Sequence, residues 1–221
     1  MKTFKTLHVT ALAVLALATA AEAQFSVRGI DAPGATNITN IDQAESLLAS
    51  EPTFGTIQSP AVINYFDGTA AGDVAGDTVF PGLGATDQFA LDATGFLTFN
   101  TLGNYVFRVH SDDGFRLRFD GSLLSEFTGP RSPGATDAPV FSPLSLGSVV
   151  GVRLTYFEQA GQSELEFSYS LNGGPQTLVG ASNDITVRST RIVPGVPEPA
   201  TTLGLFGLAM AAIVAFRSRC C

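Results

Sequence analysis

Apolar and polar positions alternate with a period of two through most of the middle of the chain. In "YVFRVHS", Tyr105, Phe107 and Val109 fall on one face and Val106, Arg108 and His110 on the other. "FRLRF" sets Phe115, Leu117 and Phe119 against Arg116 and Arg118 in the same way. Such alternation marks strands with one buried face. It predicts further strands in "FALDATGFLTF", "SVVGVRLTYFE", "SELEFSYSL" and "DITVRSTRIV", with Leu165, Phe167, Tyr169 and Leu171 turned inward, and one in "SPAVINYFDG". Leu102-Gly103-Asn104, Asp120-Gly121 and Asn172-Gly173-Gly174 read as turns, because Gly, Asn and Asp tolerate the positive φ that tight connections demand. "GPRSPGATDAP" reads as a Pro/Gly loop. "TAAGDVAGDTVFPGLGATD" reads as a long surface loop, whose aspartates lack the spacing of a calcium loop and are expected to be solvated.

One segment changes period. In "IDQAESLLAS", Ile41, Ala44, Leu47 and Leu48 share a helical face, Asn40 stands at the N-cap and Gln43 three residues on; that pattern predicts one short capped helix packed on a sheet. The rest of the stretch from Gln24 to about Pro60 reads as loop. Many short strands, frequent turns and a single helix predict an all-β antiparallel sandwich.

The two ends follow neither pattern. The first 23 residues carry Lys2 and Lys5, an apolar run and the ending Ala21-Glu22-Ala23, the layout of a secretory signal peptide, with cleavage between Ala23 and Gln24 expected. After Pro194, an apolar run of about residues 200–216 precedes Arg217 and Arg219; it suits a membrane span with a basic cytoplasmic end. Domain boundaries are therefore expected at 1–23, 24–193 and 194–221.

Composition narrows the chemistry of the middle. Between the end segments there are 18 acidic and 8 basic side chains, a net charge of −10, and no lysine. Nucleic-acid binding rests on cationic side chains and is not expected; the composition suits a soluble exported protein, or one that gathers divalent cations. Both cysteines, Cys220 and Cys221, lie in the tail, so the domain must be held by its core, for which the phenylalanines supply the area. His110 is the one histidine of the middle segment and reads as a surface strand residue. With no cysteine or lysine there, an enzyme is not expected; the nearest candidate is a glycosidase pair of Asp113 and Glu158.

Two resemblances follow from ordered motifs. Gly103, Tyr105 and Phe107, then Ser111-Asp112-Asp113-Gly114, Asp120-Gly121, and later Tyr156 and Glu158 resemble, in order and spacing, the PA-14 (protective antigen fourteen) module. That resemblance implies a β-sandwich that often binds carbohydrate. In fungal adhesins of the family the Asp-Asp pair, joined by a cis peptide, holds Ca2+, which in turn coordinates sugar hydroxyls. Carried over, it makes Asp112 and Asp113 metal and ligand-binding residues. Where the adhesins place a further Asn, this chain has Glu158 and Gln159, so Glu158 becomes the third candidate ligand. Ca2+ accepts about 6–8 oxygens in flexible geometry. The pair can equally be a turn cap that accepts backbone N–H groups. Specificity is expected in the loops Gly129 to Pro139 and Asp67 to Asp87.

The tail, Val196-Pro197-Glu198-Pro199-Ala200 with its apolar run and basic end, resembles the PEP-CTERM sorting signal of Gram-negative bacteria. That implies anchoring in the inner membrane, cleavage near Pro197-Glu198-Pro199 by an exosortase-type membrane protease, and delivery to the cell surface, outer membrane or extracellular matrix. The expectation is an exported glycan-binding or exopolysaccharide-binding module, with a structural surface protein as the alternative and a weak glycoside hydrolase behind it.

Overall fold

The computed structural model describes residues 24–32, 34, 37–50, 56–67, 72–81, 83 and 87–191. Ala23, Pro197, Glu198, Pro199 and the two apolar end segments lie outside the described residues. The elements in chain order are β1 (Ser26–Asp31), α1 (Ile41–Ser50), β2 (Thr56–Gln58), β3 (Asn64–Asp67), β4 (Phe89–Phe99), β5 (Tyr105–Asp112) and β6 (Phe115–Phe119). They continue with β7 (Ser122–Phe127), β8 (Gly134–Asp137), β9 (Val149–Glu158), β10 (Ser163–Leu171), β11 (Thr177–Leu178) and β12 (Ile185–Arg188).

The strands make two antiparallel sheets. One runs β2-β1-β4-β9-β6-β7, with β12 pairing the far half of β4; the other runs β11-β10-β5-β8, with β3 also on β10. The predicted alternation decides what lies between them. Tyr105, Phe107 and Val109 of β5, Phe115, Leu117 and Phe119 of β6, and Leu165, Phe167 and Tyr169 of β10 are all buried in one core. Phe107 lies at its centre, 4.9 Å from Phe119, 5.8 Å from Phe167 and 6.4 Å from Phe99 between ring centroids. Each ring taken fully from water contributes roughly 1.5–3 kcal/mol, which accounts for a domain that holds together without cross-links.

Turn chemistry also follows the sequence. Asp120 (φ 46°) with Gly121 (φ 81°) links β6 to β7, and Asn172 (φ 54°) with Gly173 (φ 74°) leads away from β10. The helix spans its predicted residues, with the Asn40 Oδ1 accepting the Gln43 N–H at 3.0 Å and the Gln43 Oε1 accepting the Thr39 N–H at 2.7 Å. Ile41, Ala44 and Leu48 pack with Ile30, Ile38, Ala90 and Phe157 in a second small core on the outer face of the larger sheet.

Five expectations are corrected. Ser26–Asp31, read as loop, is a strand on β4; its pattern was hidden by Gly29, where a Cβ would fall 2.6 Å from a Leu83 methyl carbon, so that a larger residue would require the Leu83 side chain to shift. Gly134–Asp137, inside the Pro/Gly loop, pairs with β5 as β8. The final strand is only Ile185–Arg188. The polar face of β10 is not solvated: Glu164, Glu166 and Ser168 are buried along with their apolar neighbours. The segment after Gly72 crosses that face, with the Val74 N–H donated to Glu166 at 2.8 Å and Asp73 paired to Arg108 at 2.8 Å, so Asp73 is not a merely solvated loop carboxylate.

Candidate functional site

The sandwich ends at one corner where β5 passes into β6 through Asp113 and Gly114. The Asp112–Asp113 peptide there is cis. On the neighbouring strand, Val152, Leu154, Tyr156 and Glu158 form one inward row; pairing of Phe115 with Tyr156 sets Glu158 just past the start of β6, against the corner. The apolar row therefore ends in a carboxyl group. Asp112, Asp113 and Glu158 each offer an oxygen, and these oxygens lie within 4.8 Å of one another. All three residues are buried, at 8, 4 and 0 % exposure.

The three carboxyls are held differently. Asp113 accepts the Arg131 main-chain N–H on Oδ1 and the Gln159 main-chain N–H on Oδ2, both at 2.8 Å, while its carbonyl accepts the Ser111 hydroxyl at 2.7 Å. The Ala160 main-chain N–H and the Asp112 carboxyl also hydrogen-bond to the Asp113 carboxyl, so its roughly four acceptor positions are largely engaged. The Tyr156 hydroxyl contacts both the Asp112 carbonyl and the Glu158 Oε2, the latter at 3.0 Å. The buried Glu158 Oε1 has no hydrogen-bond partner.

Crowding three acids into this corner disfavours their charged forms. Burial, then the charge of Asp113, pushes Glu158 up to about 9. Burial, then Asp113 and Glu164, pushes Asp112 up to about 6. Asp113 is also raised by burial, with the Gln159 and Arg131 amides pulling the other way. A divalent cation would relieve the same repulsion that protons relieve here. An all-oxygen donor set in which the Glu158 Oε1 stands open is the kind that hard ions such as Ca2+ take. As a glycosidase pair, Asp113 and Glu158 would have to act from buried positions with both Asp113 oxygens already accepting amides.

The surroundings include residues that sequence patterns did not single out. Arg131 donates to the Ser111 carbonyl at 3.0 Å, the Ser111 hydroxyl at 2.8 Å and the Thr136 hydroxyl at 2.7 Å, and lies over the Phe127 ring at 4.6 Å. Its one signal was to be a rare cation inside "GPRSPG". Phe80 stacks on Tyr156 at 5.5 Å between centroids and backs the corner from within. His110 is not a surface residue: its side chain is 13 % exposed and its Nδ1 lies 2.8 Å from buried Glu164, a bond that raises the imidazole above its ordinary range.

Gly114 sets how closely the loops approach. A Cβ there would fall 2.5 Å from a Phe157 ring carbon, 2.7 Å from the Phe127 carbonyl and 2.8 Å from the Gly129 carbonyl. Two of those obstacles are backbone, so Gly114→Ala is expected to destabilise the domain by about 1–3 kcal/mol, read as a lower urea midpoint with an unchanged slope. Wild-type stability in that variant would mean that the loops at the corner can part to admit a methyl group.

The family model described as "PA14 domain" matches residues 54–183, and the "PEP-CTERM protein-sorting motif" matches residues 195–219. No curated protein matches the chain. Among solved structures, the PA14 sugar-binding domain from an RTX adhesin is 19 % identical, over 72 % of this chain and 95 % of that one, with a TM-score of 0.55. The PA14 domain of the MpAFP antifreeze protein is 15 % identical, over 83 % and 100 %, with a TM-score of 0.56. The epithelial adhesin 9 A domain from Candida glabrata, in complex with Galb1-3GlcNAc, is 10 % identical, over 76 % and 90 %, with a TM-score of 0.54. At these identities the likeness is one of fold.

Proposed function

The chain belongs to the PA14 domain family and carries a C-terminal PEP-CTERM sorting motif, and from that premise we propose that it is an exported binding module that recognises a glycan through Ca2+ held by Asp112, Asp113 and Glu158. The sorting motif supports export by way of the inner membrane and processing by an exosortase-type membrane protease near Pro197-Glu198-Pro199, with delivery to the surface or matrix of a Gram-negative bacterium. The sugar-binding domains of similar fold support carbohydrate, such as exopolysaccharide, as the ligand class.

One observation carries the site assignment: three carboxyls converge in a buried corner and leave the Glu158 Oε1 without a hydrogen bond. Buried acceptors in native proteins are paired almost without exception, and buried charges are paired or coordinate metals. When bound, Ca2+ supplies a positive centre with coordination positions that sugar hydroxyls can fill. Asp113, fixed by its two amides, orients the corner; Glu158 completes the donor set from the end of the core.

Calorimetric titration of Ca2+ into the purified chain is expected to show about one ion bound, with the signal abolished by Asp112→Ala. A glycan array is expected to give binding in calcium that chelator removes. A second reading, in which the corner is structural and takes no ligand, is favoured by the way Asp113 ties the Arg131 and Gln159 segments together. Absence of heat, of a melting shift and of array signal would establish that reading instead.

A further inference from the structure

Arg131 has its guanidinium beside the acid cluster, yet among the described residues no carboxylate pairs with it. Its position favours the charged forms of Asp112 and Asp113, while its hydrogen bonds go to neutral groups: the Ser111 carbonyl and hydroxyl and the Thr136 hydroxyl. Its plane rests on Phe127 at 4.6 Å and Phe115 at 5.5 Å. The same residue's main-chain N–H is donated to the Asp113 Oδ1 at 2.8 Å, and the Ser111 hydroxyl that Arg131 grips is donated to the Asp113 carbonyl at 2.7 Å. Main chain and side chain of one residue thus close a circuit through Ser111 and Asp113.

We propose that Arg131 is the positioning residue of this corner: its side chain staples its own loop to the end of β5, so that its amide holds Asp113 in the orientation that receives a cation. The functional consequence rests on the calcium reading above; the stapling does not. Lysine keeps the charge but has no planar fork, so it cannot serve Ser111, Thr136 and two ring faces at once. Simple electrostatics gives the opposite sign, because deleting a positive charge beside carboxylates should tighten cation binding.

The test uses the full chain with Arg131→Lys and Arg131→Met. Both are expected to weaken Ca2+ about tenfold, in the range found when groups that orient metal ligands are removed. Both should also shorten the luminescence lifetime of bound Tb3+ as more water reaches the ion, and speed hydrogen exchange of the residue 131 and Gln159 amides in ion-free protein. Tighter binding in Arg131→Met, wild-type affinity in Arg131→Lys, or unchanged exchange at residue 131 would each overturn the assignment. If the wild-type chain takes up no calcium, the cation reading fails while the exchange measurement still decides the role of Arg131. Should Arg131→Met not fold, Arg131→Lys decides alone.

Discussion

Asp113→Ala is expected to lower stability by about 2–4 kcal/mol, whereas Asp112→Ala, one residue away, is expected to leave stability unchanged or raise it slightly. Asp113 accepts the Arg131 and Gln159 main-chain N–H groups in a corner where it is only 4 % exposed. Its removal strands two donors, each worth about 1–3 kcal/mol if left unpaired. Burial, then the charges of Asp113 and Glu164, push the Asp112 carboxyl up to about 6, so deleting it removes a desolvated and repelled group. Urea unfolding of the two variants in chelator checks the contrast. Equal losses would show that the two aspartates act as one structural unit. On the calcium reading both variants also lose the ion, so Asp112→Ala separates the ligand role from the architectural one.

Without calcium, stability is expected to fall as pH rises from about 6 to 9. A carboxyl whose pKa is higher in the fold than in the open chain holds more protons when folded. Raising the pH then favours unfolding, up to the folded value. Glu158, pushed by burial from an ordinary 4.5 to about 9, acts across that whole window, while Asp112 acts only up to about 6. His110, raised by its bond to Glu164, works in the same direction, since its stabilising charge is lost as pH climbs through its folded value. One proton of difference sets a slope of at most about 1.4 kcal/mol per pH unit. Glu158→Gln should flatten most of that slope and raise the melting temperature at pH 8.5. Millimolar calcium should do likewise in wild type, because an ion that needs the charged form binds more tightly as protons leave. A pH-independent melting temperature in chelator would show that Glu158 ionises freely in the fold.

The parts of the fold that were legible are those where local pattern and local chemistry agree. Tyr105 to His110 and Phe115 to Phe119 alternate strictly, and each buries the face its spacing indicates. Asn40 and Gln43 mark the helix start because capping is settled within four residues. β1 was not legible, since Gly29 interrupts its pattern for the sake of Leu83, more than fifty residues away. The burial of Glu164 and Glu166 was equally hidden: their alternation with Leu165 and Phe167 is that of a solvated face, and a remote segment covers it.

At the corner, Asp112, Asp113 and Glu158 were named from motif order, but nothing in that order indicates that Glu158 is fully buried or that its Oε1 has no partner. Arg131 drew no attention because its partners Ser111 and Thr136 are common polar residues and its role lies as much in its amide as in its charge. The sequence by itself determined the strand period, the turns, the capped helix, the acidic and lysine-free character and the family, because each is written in neighbouring residues or in ordered motifs. Only the tertiary structure decided which acids lose their water, which loops Asp113 ties together and which guanidinium holds the corner. Desolvation and hydrogen-bond geometry depend on what packs against a residue from elsewhere in the chain.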